Sequence, residues 1–384
     1  MLETSVTDCV LSEVAYRSYH AEPEQTVTVR CTVRPASGAP SADGYGTATT
    51  ESVARKKALS EAMERLLACT PFASAARPPT ITTDDHDPWP EGIRSAPAGC
   101  RTRGYRPLTD GALPRQVPLF WSSPWIAGQE LRSAHLTAQT ARLSSTIGWA
   151  VAPSPSAAVR GAVLELTELL NYGVFLHQAL TGPPYPGDDA EAQPLTVPLS
   201  GAVRTPTVLA VARGSRQRMP ATGLGSGTTL AEARERALLE LAQAETLWRS
   251  NPTAVPAERS FMRRFARWPL LTRCATLDFD LRARDAPPDG GPCPSPLQEL
   301  QARGIAVWAD CGAVDVSGPG IARTRLHYAH VVSDPQPLLG LVRAGVPVFD
   351  TGEVRKILDP SRRERPADRR HPGRNAQGGR PARA

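Results

Sequence analysis

One arrangement of small, apolar and acidic positions recurs three times along the chain. Gly44–Glu64 reads GYGTATTESVARKKALSEAME, Gly148–Glu168 reads GWAVAPSPSAAVRGAVLELTE, and Gly223–Gln243 reads GLGSGTTLAEARERALLELAQ. Counting from each leading Gly, one Ala stands ten residues on (Ala54, Ala158, Ala233) and another fourteen on (Ala58, Ala162, Ala237). A Glu follows at seventeen (Glu61, Glu165, Glu240), and at twenty comes Glu64, Glu168 or Gln243. The abundance of Ala, Leu, Glu and Arg predicts a Gly-bearing turn, a short polar stretch and then a helix in each copy. The two Ala lie one helical turn apart and make a small-residue stripe for close packing. Positions seventeen and twenty share a face, with Leu59, Leu164 and Leu239 expected to cover the adjoining apolar one.

Outside the repeats the pattern is less regular. LHYAHVV, which holds His327 and His330, reads as a strand, so this pair faces opposite sides and is set aside as a metal site. LQELQARGIAVWADC predicts a helix followed by a strand. Pro-rich stretches at 71–98 and 182–198 read as surface loops or lids, and RDAPPDGGPCPSP as a further loop. The organisation expected is α+β: one composite unit over 1–358 and a disordered Arg-rich tail over 359–384.

Charge and cysteine usage remove several function classes. The net charge is +6, but residues 361–384 carry eight Arg against Glu364 and Asp368, which accounts for all of it. The near-neutral body disfavours a nucleic-acid groove. Seven scattered Cys without a CxxC pair, no signal segment and no apolar run of about 18 residues point to a cytoplasmic protein with no membrane partner. GxSxG is absent, which leaves a serine hydrolase unsupported. So is GxxxxGK[ST], and only Lys56, Lys57 and Lys356 exist to supply its Lys, so no Walker-type loop holds a nucleotide here.

A single helix with Glu at i and i+3 is ordinarily a solvated face. Three copies at one fixed offset change that reading. Four or five carboxylates drawn into one site repel unless protonated or neutralised by cations. Hard Mg²⁺ takes a few carboxylate oxygens together with substrate phosphates, so a Mg²⁺–nucleotide site is the natural chemistry. Buried carboxylates paired with Arg remain the structural alternative.

At these segments the chain resembles the YcaO family. The resemblance runs from VTVRCTVRPASG through the three repeats to HYAHVVSDPQPLLGLVRAGVPV, most of residues 15–350 in order. It implies a YcaO-type α+β fold, with Gly-turn-to-helix segments packed with β-sheets around a central nucleotide site. It assigns Glu61, Glu64, Glu165 and Glu168 to Mg²⁺, and adds Arg65, Glu240 and Gln243 to the ATP-binding set; Ser41, just before the first Gly turn, is expected beyond the resemblance to border the nucleotide. The activity implied is ATP-dependent activation of a backbone amide in a ribosomally made precursor peptide. An internal Cys, Ser or Thr nucleophile gives an azoline, sulfide a thioamide, and an amine an amidine. A leader-binding or sulfur-donor partner protein is implied as well, and homodimer formation is left open. The chain departs from the family at Ile147, Pro153, Ala157 and Leu169, where Asn, Asn, Glu and Arg are usual, and at Glu245, where Arg is usual. The second reading implied is therefore a catalytically lapsed homologue acting as scaffold or peptide-binding partner. No residue is assigned to the chemical step itself.

Overall fold

A computed structural model describes residues 6–21, 26–69, 80–81, 101–133, 144, 146–182, 194–199, 201, 203–212, 220–251, 269–281, 295–336, 338–339, 348–349 and 351–362. The Arg-rich tail beyond 362, most of the 71–98 stretch and residues 284–294 lie outside them.

Two hairpins set the frame. Strand β2 (Thr26–Pro35) pairs antiparallel with β3 (Ala42–Ala48), which runs directly into helix α1 (Glu51–Cys69). Much later, β9 (Thr207–Ala212) pairs antiparallel with β10 (Ala221–Ser226), which runs into α3 (Leu230–Ser250). Between them β7 (Trp149–Ala152) leads into α2 (Pro155–Ala179). Its antiparallel partner is β12 (Ile321–Asp334), which forms a long hairpin with β11 (Ala306–Gly318). The middle repeat thus borrows its first strand from far along the chain.

Strand β1 (Val6–Ala21) unites these parts. Its first half runs parallel to β11 and its second half antiparallel to β2, giving the order β3-β2-β1-β11-β12-β7. The same sheet gains β4 (Thr80–Ile81), β5 (Arg101–Pro107) and β6 (Arg115–Pro118) through β5, which pairs with β11. A separate three-stranded sheet holds β8 (Leu195–Pro198), β9 and β10. Strands β4 and β8 correct the reading of 71–98 and 182–198 as loop throughout. Pro198 ends an edge strand, where a missing N–H costs no ladder bond.

Each repeat helix packs on its own strands. Ala54, Ala58 and Ala62 bury against Val29, Cys31 and Val33, Ala158 and Ala162 against Ala329 and Val331, and Ala233 and Ala237 against Val208 and Ala210. All six repeat alanines have no exposed surface, as the small-residue stripe predicts. The adjoining leucines differ: Leu164 is buried, whereas Leu59 and Leu239 are half-buried. Two caps fix helix starts, Ser154 accepting from the Ala157 N–H and Thr229 from the Glu232 N–H.

The leading glycines need correction too. Gly44 and Gly223 lie inside strands rather than turns. A Cβ at Gly44 would stand 2.3 Å from the Ala58 carbonyl, and one at Gly223 2.1 Å from the Ala237 carbonyl. These glycines let a helix backbone touch a strand. Only Gly148 is a turn residue, at φ +82°.

Candidate functional site

The three strand-to-helix units point their acidic positions at one centre. Glu61 accepts the Tyr45 N–H at 2.6 Å, and Glu240 accepts the Leu224 N–H at 2.7 Å. In both cases the donor is the residue after the leading Gly, so backbone geometry fixes the carboxylate. Glu165 takes a backbone hydrogen bond from Gly148, and Glu168 one from Ser226, which ties the second helix to the third unit. Arg65 pairs with Glu61, donates to the Asp43 carbonyl at 2.9 Å and lies over the Tyr45 ring. Thr47 donates to the Gln243 side-chain carbonyl at 3.2 Å, joining first and third units directly.

A cavity of about 340 Å³ opens between these elements, and Glu165, Glu168, Glu240 and Gln243 line it with Lys57 and Arg236. Glu61 and Glu64 stand behind this wall, close enough to raise Glu165. Ser41 is exposed just before β3 and does not line the cavity.

Mutual repulsion is legible in the protonation of the site. Burial, then the Glu61 charge, pushes Glu64 up to about 8 against the pull of Arg65. Burial pushes Glu240 up to about 7, with the Leu224 N–H opposing and Glu61 adding. Glu165 and Glu168 are raised well above the usual range, first by burial and then by Glu64 and Glu240 respectively. Glu61 is raised by burial while Arg65 and the Tyr45 amide hold it down. By surface exposure Glu240 is exposed and the other four are half-buried, so none of the five is sealed from solvent.

That donor set suits a hard divalent cation shared with a polyanion. Among the described residues no group of three or more His, Cys, Asp and Glu is disposed to hold a metal by itself. Mg²⁺ does not need one, because it binds through one or two carboxylates and completes its shell with water and phosphate oxygens. The residues therefore fit a Mg²⁺–nucleotide and do not form an all-protein cage.

Beside the second unit lies a buried chain that sequence reasoning did not find. The Ile147 carbonyl can only accept, so His330 Nε2 carries the hydrogen that bridges 3.0 Å to it. His330 Nδ1 then accepts from the Tyr105 hydroxyl at 2.5 Å. Burial pushes this imidazole down to about 3, so it stays neutral. Trp149 packs on it at 5.0 Å between centroids and donates to the Ser122 carbonyl at 3.0 Å. The signal was the apolar strand around His330, which marks it as a core histidine.

No protein-family model matches the chain, and no curated protein sequence matches it. Solved structures do. The chain is similar to YcaO from Methanopyrus kandleri bound with AMPPCP and Mg²⁺, at a TM-score of 0.55 and 18% identity over 91% of this chain and 89% of that one. It is similar to a chain of the E. coli microcin synthetase McbBCD complex, at 0.54 and 13% over 88% and 93%. A heterocyclase in complex with substrate and cofactor aligns at 0.54 and 13%, over 84% of this chain and 49% of that one. At such identities the likeness is one of architecture, and the fold of this chain is of the YcaO type.

Proposed function

We propose that this protein activates a backbone amide in a ribosomally made precursor peptide, using Mg²⁺ and ATP. The observation that carries the reading is the convergence of Glu61, Glu64, Glu165, Glu168 and Glu240 on one centre, three of them lining a cavity that also presents Lys57 and Arg236. The YcaO from Methanopyrus kandleri is bound with AMPPCP and Mg²⁺, and a McbBCD complex has pro-MccB17 bound, which supports both ligand classes. Bound Mg–ATP would supply the phosphoryl group that converts a poor leaving oxygen into phosphate. The chain's own part is to hold and orient it. Backbone amides of Tyr45, Leu224, Gly148 and Ser226 fix the carboxylates, so that Glu61, Glu64, Glu165 and Glu168 would hold the metal and Glu240 and Gln243 would lie beside the nucleotide. The product class we assign is an azoline, with thioamide or amidine as the other outcomes of the same activation. A leader-binding or sulfur-donor partner and a cytoplasmic setting belong to this reading.

The second reading is a scaffold or peptide-binding partner without turnover. It draws on the second unit, where Ile147, Pro153, Ala157 and Leu169 present no polar side chain. Calorimetry with Mg–ATP separates the two. Nucleotide binding that is lost in Glu165→Gln supports the enzyme, and peptide or partner binding with no nucleotide binding at all supports the scaffold. Phosphate release that depends on peptide would then establish turnover.

A further inference from the structure

The first and third units match beyond their carboxylates. Thirteen residues after the leading Gly stand Lys57 and Arg236, and the second unit has Gly161 there. Lys57 Nζ donates to the Thr47 carbonyl at 3.1 Å, and Arg236 Nη1 donates to the Ser226 carbonyl at 3.1 Å. Thr47 and Ser226 both sit three residues after their Gly, so one anchoring device is built twice. Each anchor strand is braced the same way, Thr47 by the Thr28 hydroxyl at 2.9 Å and Ser226 by the Thr207 hydroxyl at 2.8 Å.

Both cations line the same cavity as Glu165, Glu168 and Glu240. Neither forms an ion pair with those carboxylates, although the Arg236 charge opposes the upward shift of Glu168. Arg236 pairs instead with Glu232 at 2.7 Å on its own helix, and Lys57 forms no ion pair among the described residues. Burial and then the charge of Arg236 work against the Lys57 ammonium, and the Glu235 carboxylate favours it. Glu232 and Glu235 on the third helix offset part of the repulsion between the two cations, and an anion between them would offset more. The cavity is thus divided, with tethered cations on the strand-ends of units one and three and tethered carboxylates beside them.

We propose that Lys57 and Arg236 together form the seat of a polyphosphate chain, whose metal-bearing side faces Glu165 and Glu168. Arg236 offers a planar fork and Lys57 a compact point charge, the two usual forms of phosphate recognition. The proposal rests on the Mg–nucleotide reading and deepens it by naming the groups that take the phosphates. Gly161 explains why the second unit contributes only metal-type ligands: at its corresponding position it has no side chain to reach with.

The test is calorimetric titration of the full chain with inorganic tripolyphosphate and with Mg–ATP, using Lys57→Met, Arg236→Met and the conservative Lys57→Arg and Arg236→Lys. Each Met variant should weaken tripolyphosphate about tenfold and the double variant by more, the conservative ones should retain most affinity, and rising salt should weaken the wild type most. Thermal unfolding establishes that the variants remain folded. Wild-type binding of Mg–ATP with unchanged affinity in both folded Met variants overturns the seat while the nucleotide reading stands. Tripolyphosphate binding that depends on Lys57 and Arg236, without any Mg–ATP binding, upholds the seat and removes the nucleotide reading. A wild type that binds neither anion overturns both.

Discussion

The first and third units are near copies in three dimensions, and the second is not. In both of the former, a local hairpin, a strand glycine pressed on a helix, a backbone amide holding a Glu and a tethered cation occur at the same offsets. The second unit keeps the alanines and both glutamates but takes its partner strand from β12, turns at Gly148 and carries no hydroxyl or cation at the matching positions. The difference teaches that one repeat has been used for two tasks. Two copies tether a cation at the cavity, and the middle one lines it with its acidic pair alone.

The largest expected effect breaks the copies at their glycines. Gly44→Ala and Gly223→Ala force a Cβ into helix backbone and should each cost roughly 3 kcal/mol or more in urea unfolding. Gly161→Ala meets only the Ala150 methyl at 3.1 Å and gains helix propensity, so it should stay within about 1 kcal/mol of wild type. Equal effects at Gly44 and Gly161 would erase the comparison.

Next comes the acidic pair. Glu165→Gln should lower peptide-dependent phosphate release on the order of a hundredfold, with thermal stability kept or raised because the cost of holding an ionisable carboxyl there is gone. Tyr105→Phe, which removes the donor to His330 beside the second unit, should cost about 1 kcal/mol in chemical denaturation.

The remaining effect is in pH. Carboxyls raised to about 8 and about 7 in the folded chain, Glu64 and Glu240, keep protons that the unfolded chain loses near 4.5. Stability should therefore fall as pH rises from about 4.5 to 8, and Mg²⁺ should restore it. Thermal unfolding with and without Mg²⁺ should show a larger metal-induced rise in Tm at pH 8.5 than at pH 6. Glu240→Gln should flatten part of that pH slope.

Much of this was legible in the residues. Fixed offsets gave the helices, the alanine stripe and the glutamates that converge, because helical period and small-residue packing are local properties. The role of Gly44 and Gly223 was not legible, since turn and strand glycines look alike until the helix that lies on them is known. Nor was the β7–β12 pairing, which joins Trp149 to His330 across a long stretch of chain. Lys57 and Arg236 shared an offset in plain view, but basic residues on a helix read as solvated until a cavity is placed beside them.

Strand β1 has a consequence for synthesis. Val6 pairs with Ala313, so β1 waits for a partner made about three hundred residues later. At ribosomal speeds that is on the order of 15 to 60 s, during which the half of β1 destined for β11 has no native neighbour. The β2 and β3 hairpin can occupy the other half early. The chain thus emerges with one half of its leading strand bonded and the other held open as a template, closed only when the last long hairpin arrives.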